Sequence, residues 1–150
     1  VAYGHVEGFR PRDGVYYKPY ITLQGIMEKE NPDIYDYVVE PKLRQLYNSK
    51  DYGRYGSQVT GQGSQTTLEM PVGFIATNHT TGGNSGSPVL DADGRLIGLN
   101  FDRCWEGTMS DLLFDPDYCR NICLDIRYCL FIIDKFAGAK HLVDEMTLVN

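Results

Sequence analysis

The residues best equipped for chemistry lie in Thr80-Thr81-Gly82-Gly83-Asn84-Ser85-Gly86-Ser87-Pro88-Val89-Leu90, where one serine stands between glycines. A serine hydroxyl acts as a nucleophile when three conditions meet. Its Oγ stands clear on a sharp turn, a base takes its proton, and backbone N–H groups converge where an oxyanion will develop. Glycine gives such a turn the φ values it needs and lets a peptide come close. Taken alone, a serine among glycines reads equally as a Gly/Ser-rich hairpin loop. A second candidate lies further on, in Asn100-Phe101-Asp102-Arg103. Arginine presents a planar fork of donors matched to a carboxylate. The competing reading of Arg103 is a surface side chain paired with Asp102 or Glu106.

These residues have to be held in place. Val72 to Ala76 is a short apolar run that reads as the strand delivering the chain to the serine turn. Ser87 to Leu90 and Arg95 to Phe101 flank Asp91-Ala92-Asp93-Gly94, a hairpin signal. Asn121 to Ile126 alternates, which places Ile122, Leu124 and Ile126 on one face of a last strand. Earlier, Val15-Tyr16-Tyr17 follows the turn Arg12-Asp13-Gly14 as a strand entrance, and Asn31-Pro32-Asp33 marks a turn. Glu40 to Tyr47 reads as a helix with Pro41 at its first position, closed by Gly53. Residues 56–67 hold Gly, Ser, Gln and Thr with almost nothing to bury, and read as a mobile surface loop. Glu106 to Tyr118 is polar and reads as a loop. Tyr128 to Ala137 and Ala139 to Met146 have helical spacing, interrupted by Gly138. The pattern is mainly β with terminal helices near 128–146.

The chain has 150 residues, 42% of them hydrophobic and 23% charged, with a net charge of −6. That is one ordinary domain with a real core, and the acidic balance argues against nucleic acid or an anionic membrane as partner. No apolar run approaches the roughly 18 residues of a membrane span. The chain opens at Val1 without methionine and is expected to be a processed or excised piece. Cys104, Cys119, Cys123 and Cys129 form no paired knuckles, and with three scattered histidines no metal site is expected. The cysteines are expected to be mostly buried free thiols, although spacing cannot assign or exclude pairs.

The string Gly-Asn-Ser-Gly-Ser-Pro resembles the nucleophile loop of chymotrypsin-fold peptidases, with asparagine at 84 where many carry aspartate. That resemblance implies Ser85 as nucleophile and the N–H groups of Gly83 and Ser85 as the oxyanion hole. It also implies no zymogen activation through a buried carboxylate at 84. In that fold the histidine and aspartate precede the serine, in the first barrel. His79, six residues before Ser85, reads better as a loop-stabilising side chain. His5 lacks the small-residue surroundings of a catalytic histidine, and His141 sits on a terminal helix. The base and its aspartate are therefore expected to lie outside this chain, which fits the C-terminal half of a double β-barrel.

The serine loop, Asn100 to Arg103, Trp105-Glu106-Gly107, Asp125-Ile126-Arg127-Tyr128 and Asp134-Lys135-Phe136-Ala137-Gly138-Ala139 together resemble the C-terminal end of the bacterial dipeptidyl-peptidase 7/11 family. Ile26 to Glu30 and Asp51 to Tyr55 extend the similarity through nearly all 150 residues. The resemblance implies a periplasmic or cell-surface serine exopeptidase, without metal or organic cofactor. Asp102 would anchor the substrate's free amino group. Arg103 would line the S1 pocket and mark the branch that cleaves after Asp or Glu. The partners implied are a peptide substrate and the rest of the chain, a first barrel carrying His and Asp and a helical domain. By itself the 150-residue piece is expected to be inactive. A chymotrypsin-fold endopeptidase and a non-catalytic peptide-binding module are the alternatives, and self-association into a homodimer through an uncovered face is a further one.

Overall fold

The computed structural model describes residues 1–60 and 66–149. In chain order the elements begin with strands β1 (Phe9–Arg12), β2 (Val15–Tyr17) and β3 (Tyr20–Thr22). Helices α1 (Leu23–Glu28) and α2 (Pro41–Ser49) follow, then β4 (Ser57–Thr60), β5 (Thr66–Glu69) and β6 (Pro71–Ala76). The remainder holds β7 (Pro88–Leu90), β8 (Leu96–Arg103), β9 (Asn121–Asp125), α3 (Ile126–Phe131) and α4 (Lys140–Asp144). The described residues are thus mainly β with a few short helices. They divide into two compact units, one of Val1–Ile21 and Val72–Ile126, the other of Thr22–Pro71 and Arg127–Asn150.

The first unit carries a five-stranded sheet in the order β3-β6-β9-β8-β7. That order has two ends, and among the described residues no pair of strands closes it into a barrel. The apolar run of β6 makes it an interior strand, with Val72, Phe74 and Ala76 all buried. It pairs antiparallel with β9, Gly73 against Leu124 and Ala76 against Asn121. Along β9 the expected apolar face is only half-buried. The deepest positions are Asn121, Cys123 and Asp125, on the other face. The alternation is as read from the sequence, and the more buried side is the one that carries Asn121, which bonds Asn100 below the serine loop.

Strand β8 runs antiparallel to β9, and its register slips between Asn100 and Asp102. Asn100 faces Cys123 and Asp102 faces Ile122, so Phe101 is one residue too many. Such a bulge bends the strand and re-aims the side chains beyond it. Asn100 is buried, Phe101 and Asp102 are exposed, and Arg103 is half-buried. After β8, residues Trp105–Asp111 form 3-10 turns where a plain loop was expected. Backbone bonds such as Gly107 N–H to Cys104 O, at 2.9 Å, tighten the segment.

In the second unit Pro41 occupies the first turn of α2, where its missing N–H costs nothing. Lys50, in the left-handed conformation, ends that helix instead of Gly53; its N–H reaches Leu46 O and Tyr47 O. Leu23, Tyr52, Met70 and Phe131 are fully buried, and the Tyr52 and Phe131 rings meet edge to face at 5.9 Å. The stretch read as a mobile loop at 56–67 forms strands at both ends, Ser57 opposite Glu69 and Val59 opposite Thr67. Backbone pairing and threonine's preference for extended structure compensate for how little that ribbon buries; the middle of the stretch lies outside the described residues. The terminal helical reading stands as α3, a π-turn over Ile132–Phe136, and α4, with Gly138 between the last two.

Candidate active site

Ser85 is exposed at the tip of the segment joining β6 to β7. Gly83 and Gly86 flank it at φ +93° and +83°, a backbone region closed to most side chains, so glycine is required at both. Asn84 shapes the turn from inside. Its Oδ1 accepts the Thr81 N–H at 2.8 Å, its own N–H donates to Thr81 O at 3.2 Å, and its carbonyl accepts the Ser87 N–H at 3.0 Å. The Ser85 hydroxyl donates to Phe101 O at 3.2 Å, on the bulged residue of β8. Among the described residues the amides of Gly83 and Ser85 donate to no backbone acceptor.

A chain of amide side chains ties this loop to the sheet. Asn121 Nδ2 on β9 donates to Asn100 Oδ1 at 2.9 Å, and Asn100 Nδ2 on β8 donates to Asn84 O at 3.1 Å. The backbone closes the same joint, with Gly86 N–H to Asn100 O at 2.7 Å and Asn100 N–H to Ser87 O at 2.9 Å. Asn100 and Asn121 are buried, so these bonds are shielded from water and costly to lose. Asn121 Oδ1 is buried without a hydrogen-bond partner. Sequence reasoning quoted Asn100 only within a motif and missed Asn121. The available signal was a polar residue inside the apolar run of β8 and another at the start of β9.

Arg103 ends β8, and neither acid proposed for it in the sequence accepts its guanidinium. Asp102 Oδ1 takes the Arg103 backbone N–H at 2.8 Å, while Glu106 accepts the Tyr17 hydroxyl at 2.9 Å. The guanidinium instead meets Ser110 Oγ at 2.7 Å and both carboxylate oxygens of Asp111, at 2.9 and 3.0 Å. The Asp111 bond holds the Arg103 pKa above its ordinary value, so this side chain is a permanent cation. Arg103 lines a small open pocket with His79, Ser110, Phe114, Arg120 and Asn121. Arg120, buried and packed over the Phe9 ring, donates to the carbonyls of Glu7, Gly8, Pro116 and Cys119. It fixes the backbone around the pocket and adds a second positive charge there.

Among the described residues no histidine hydrogen-bonds Ser85, whose hydroxyl goes to Phe101 O. His79 Nε2 lies 3.2 Å from Ser110 O and its ring packs on Phe114 at 4.7 Å, a loop-stabilising position. His5 is exposed and bonds Thr77 through its backbone, and His141 lies on α4. Cys104 and Cys123 are buried free thiols whose pKa burial pushes up to about 11, so neither supplies a thiolate near neutral pH. Cys119 is likewise free and buried. Among the described residues no cluster of three or more His, Cys, Asp or Glu could hold a metal, and no helix is long and apolar enough to cross a membrane.

The sequence profile of the peptidase S46 family matches residues 1–148. The Asp/Glu-specific dipeptidyl-peptidase of Flavobacterium psychrophilum is 57% identical over 150 residues, all of this chain and 20% of that protein. Dipeptidyl-peptidase 7 of Phocaeicola vulgatus is 50% identical over 150 residues, again 100% of this chain and 20% of that protein. The crystal structure of Porphyromonas endodontalis DPP11 in complex with the dipeptide Arg-Asp superposes with a TM-score of 0.86 at 56% identity, covering 96% of this chain and 20% of that one. The chain therefore spans about a fifth of the length of these relatives.

Proposed function

The chain belongs to the peptidase S46 family, and on that premise we propose that it is the nucleophile-bearing part of a serine dipeptidyl peptidase releasing N-terminal dipeptides that end in Asp or Glu. The observation that carries the acidic preference is Arg103, a fixed cation on the wall of a pocket that Arg120 also lines. The relatives named for Asp/Glu specificity support the same reading.

In this reading Ser85 attacks the carbonyl that follows the second residue of the substrate. Its proton, which now points to Phe101 O, turns to a base supplied by another part of the protein. The amides of Gly83 and Ser85 receive the oxyanion as it forms; both are uncommitted to backbone acceptors, as an oxyanion hole requires. Asp102, exposed beside the bulge, attracts the substrate's free α-amino group, which limits the product to two residues. Arg103 receives the P1 carboxylate. Charge-assisted bonds of roughly 1.5–3 kcal/mol correspond to about tenfold to hundredfold preference over an apolar P1.

The five-stranded sheet with the serine at its loop end is, in this proposal, the second half of a chymotrypsin-like double barrel. The first half carries the histidine and aspartate, and the protein works in the periplasm or at the cell surface. The deciding assay compares Leu-Asp- and Leu-Leu-type dipeptidyl reporters on the 150-residue piece and on the full-length protein that carries it. An inactive piece beside a full-length enzyme selective for the acidic reporter is expected. Turnover by the piece alone would assign the base to one of its own histidines and refute this architecture.

A further inference from the structure

Arg103 contacts its neighbours in a pattern that leaves one edge of the guanidinium open. The group carries five N–H bonds. Nη1 donates to Ser110 Oγ at 2.7 Å and meets Asp111 Oδ1 at 2.9 Å, while Nη2 donates to Asp111 Oδ2 at 3.0 Å. Ser110 takes one N–H of Nη1 and Asp111 one of Nη2, while the contact of Nη1 with Asp111 is an ion pair. Among the described residues the Nε–H and the second Nη2–H meet no acceptor, and they form a parallel pair along the adjacent edge with the spacing of a carboxylate. Arg103 and Ser110 line the pocket and Asp111 does not. The Asp111 side chain is 55% exposed against 21% for Arg103, so the aspartate grips the guanidinium from the solvent side.

We infer that Asp111, assisted by Ser110, is a specificity-determining positioning residue that holds Arg103 with its Nε/Nη2 edge presented to an acidic P1 side chain. The inference rests on the role given to Arg103 above. An arginine stem loses considerable rotamer freedom when it is fixed, and Asp111 exacts that loss before substrate arrives. Opposed carboxylates can share one guanidinium because each takes a different pair of donors.

The test uses the full-length protein and the two reporters, with Asp111→Ala, Asp111→Asn and Ser110→Ala. For Asp111→Ala the KM of the acidic reporter should rise about threefold to tenfold, with kcat held and both constants for Leu-Leu unmoved. Asp111→Asn keeps one acceptor and should fall between, and Ser110→Ala should repeat the pattern more weakly. A fall in the acidic KM would make Asp111 a competitor of the substrate and overturn the inference. An unchanged KM, or equal losses on both reporters, would overturn it as well. If the unsubstituted protein fails to prefer the acidic reporter, the reading of Arg103 itself falls, a result distinct from a selective enzyme that ignores Asp111.

Discussion

The serine loop at residues 80–88 and the wall at residues 101–111 are held by different forces. Around Ser85 the fixing contacts are neutral, with backbone amides and carbonyls, the Asn84 side chain inside the turn, and the Asn121 and Asn100 side chains linked in series to the Asn84 carbonyl. Around Arg103 they are ionic and partly wet, with a guanidinium gripped by an aspartate that is itself more than half exposed. Neutral, buried hydrogen bonds keep their geometry whatever the salt and across most of the pH range, while surface ion pairs are weak and screened. The difference fits the two tasks proposed for these regions. A reacting hydroxyl needs its place held on its own strand and loop, whereas a charge reaches further, so a partly wet ionic grip is enough to hold its aim.

Four changes would break or sharpen that contrast. The largest is Ser85→Ala in the full-length enzyme, expected to lower kcat by about 10⁴-fold or more on either reporter while dipeptide binding persists; residual turnover near wild type would remove Ser85 as nucleophile. Next comes Arg103→Gly, which should erase roughly tenfold to hundredfold preference for the acidic reporter and leave the Leu-Leu rate intact. An unchanged ranking in a P1 panel would sink the assignment. Asn100→Ala should cut kcat on both reporters together and cost about 1–3 kcal/mol in a denaturant melt, since Asn84 O and Asn121 Nδ2 lose their partner in a buried place. Loss on the acidic reporter alone would contradict the division between loop and wall. Raising salt from 0.05 to about 0.5 M should have the smallest effect, weakening the acidic reporter by a few-fold and sparing the apolar one.

A pH probe separates the same two regions. Burial raises the Cys123 thiol to about 11, beneath the amide chain, so at pH 8 only about one molecule in a thousand carries the thiolate there. Because the folded pKa lies above the unfolded one, this thiol's contribution to stability is complete below about pH 8.5. It declines as the pH climbs towards 11. Alkylation of the native protein at pH 8 should spare Cys123, and Asn100→Ala should speed its labelling. Equal rates would mean that the amide chain does not keep the sheet closed there.

Much of this was legible in the sequence. Gly83 and Gly86 announce a turn with positive φ, Pro41 announces a helix start, and the β7–β8 hairpin follows from Asp91 to Gly94. What escaped has a common cause. The partners of Arg103, Ser110 and Asp111, sit in 3-10 turns whose tertiary position no period encodes. The Asn84–Asn100–Asn121 chain joins three segments distant in sequence, so its spacing carries no signal until the sheet order is known. The alternation of β9 was legible, but which of its faces lies deeper was not, because the deeper side carries Asn121 and Asp125.

The extra residue at Phe101 bears on how such a protein could change over generations. A substitution at Arg103 alters one side chain, but loss of the Phe101 codon would straighten β8 and remove the residue whose carbonyl accepts the Ser85 hydroxyl, with Asp102 still opposite Ile122 and Arg103 still opposite Asn121. One deletion would thus disturb the serine loop and the aim of the side chains beyond the bulge in the same step. Lineages that diversify specificity at this strand are therefore expected to vary the letters at 102 and 103 while keeping the count of residues between Asn100 and Cys104 fixed.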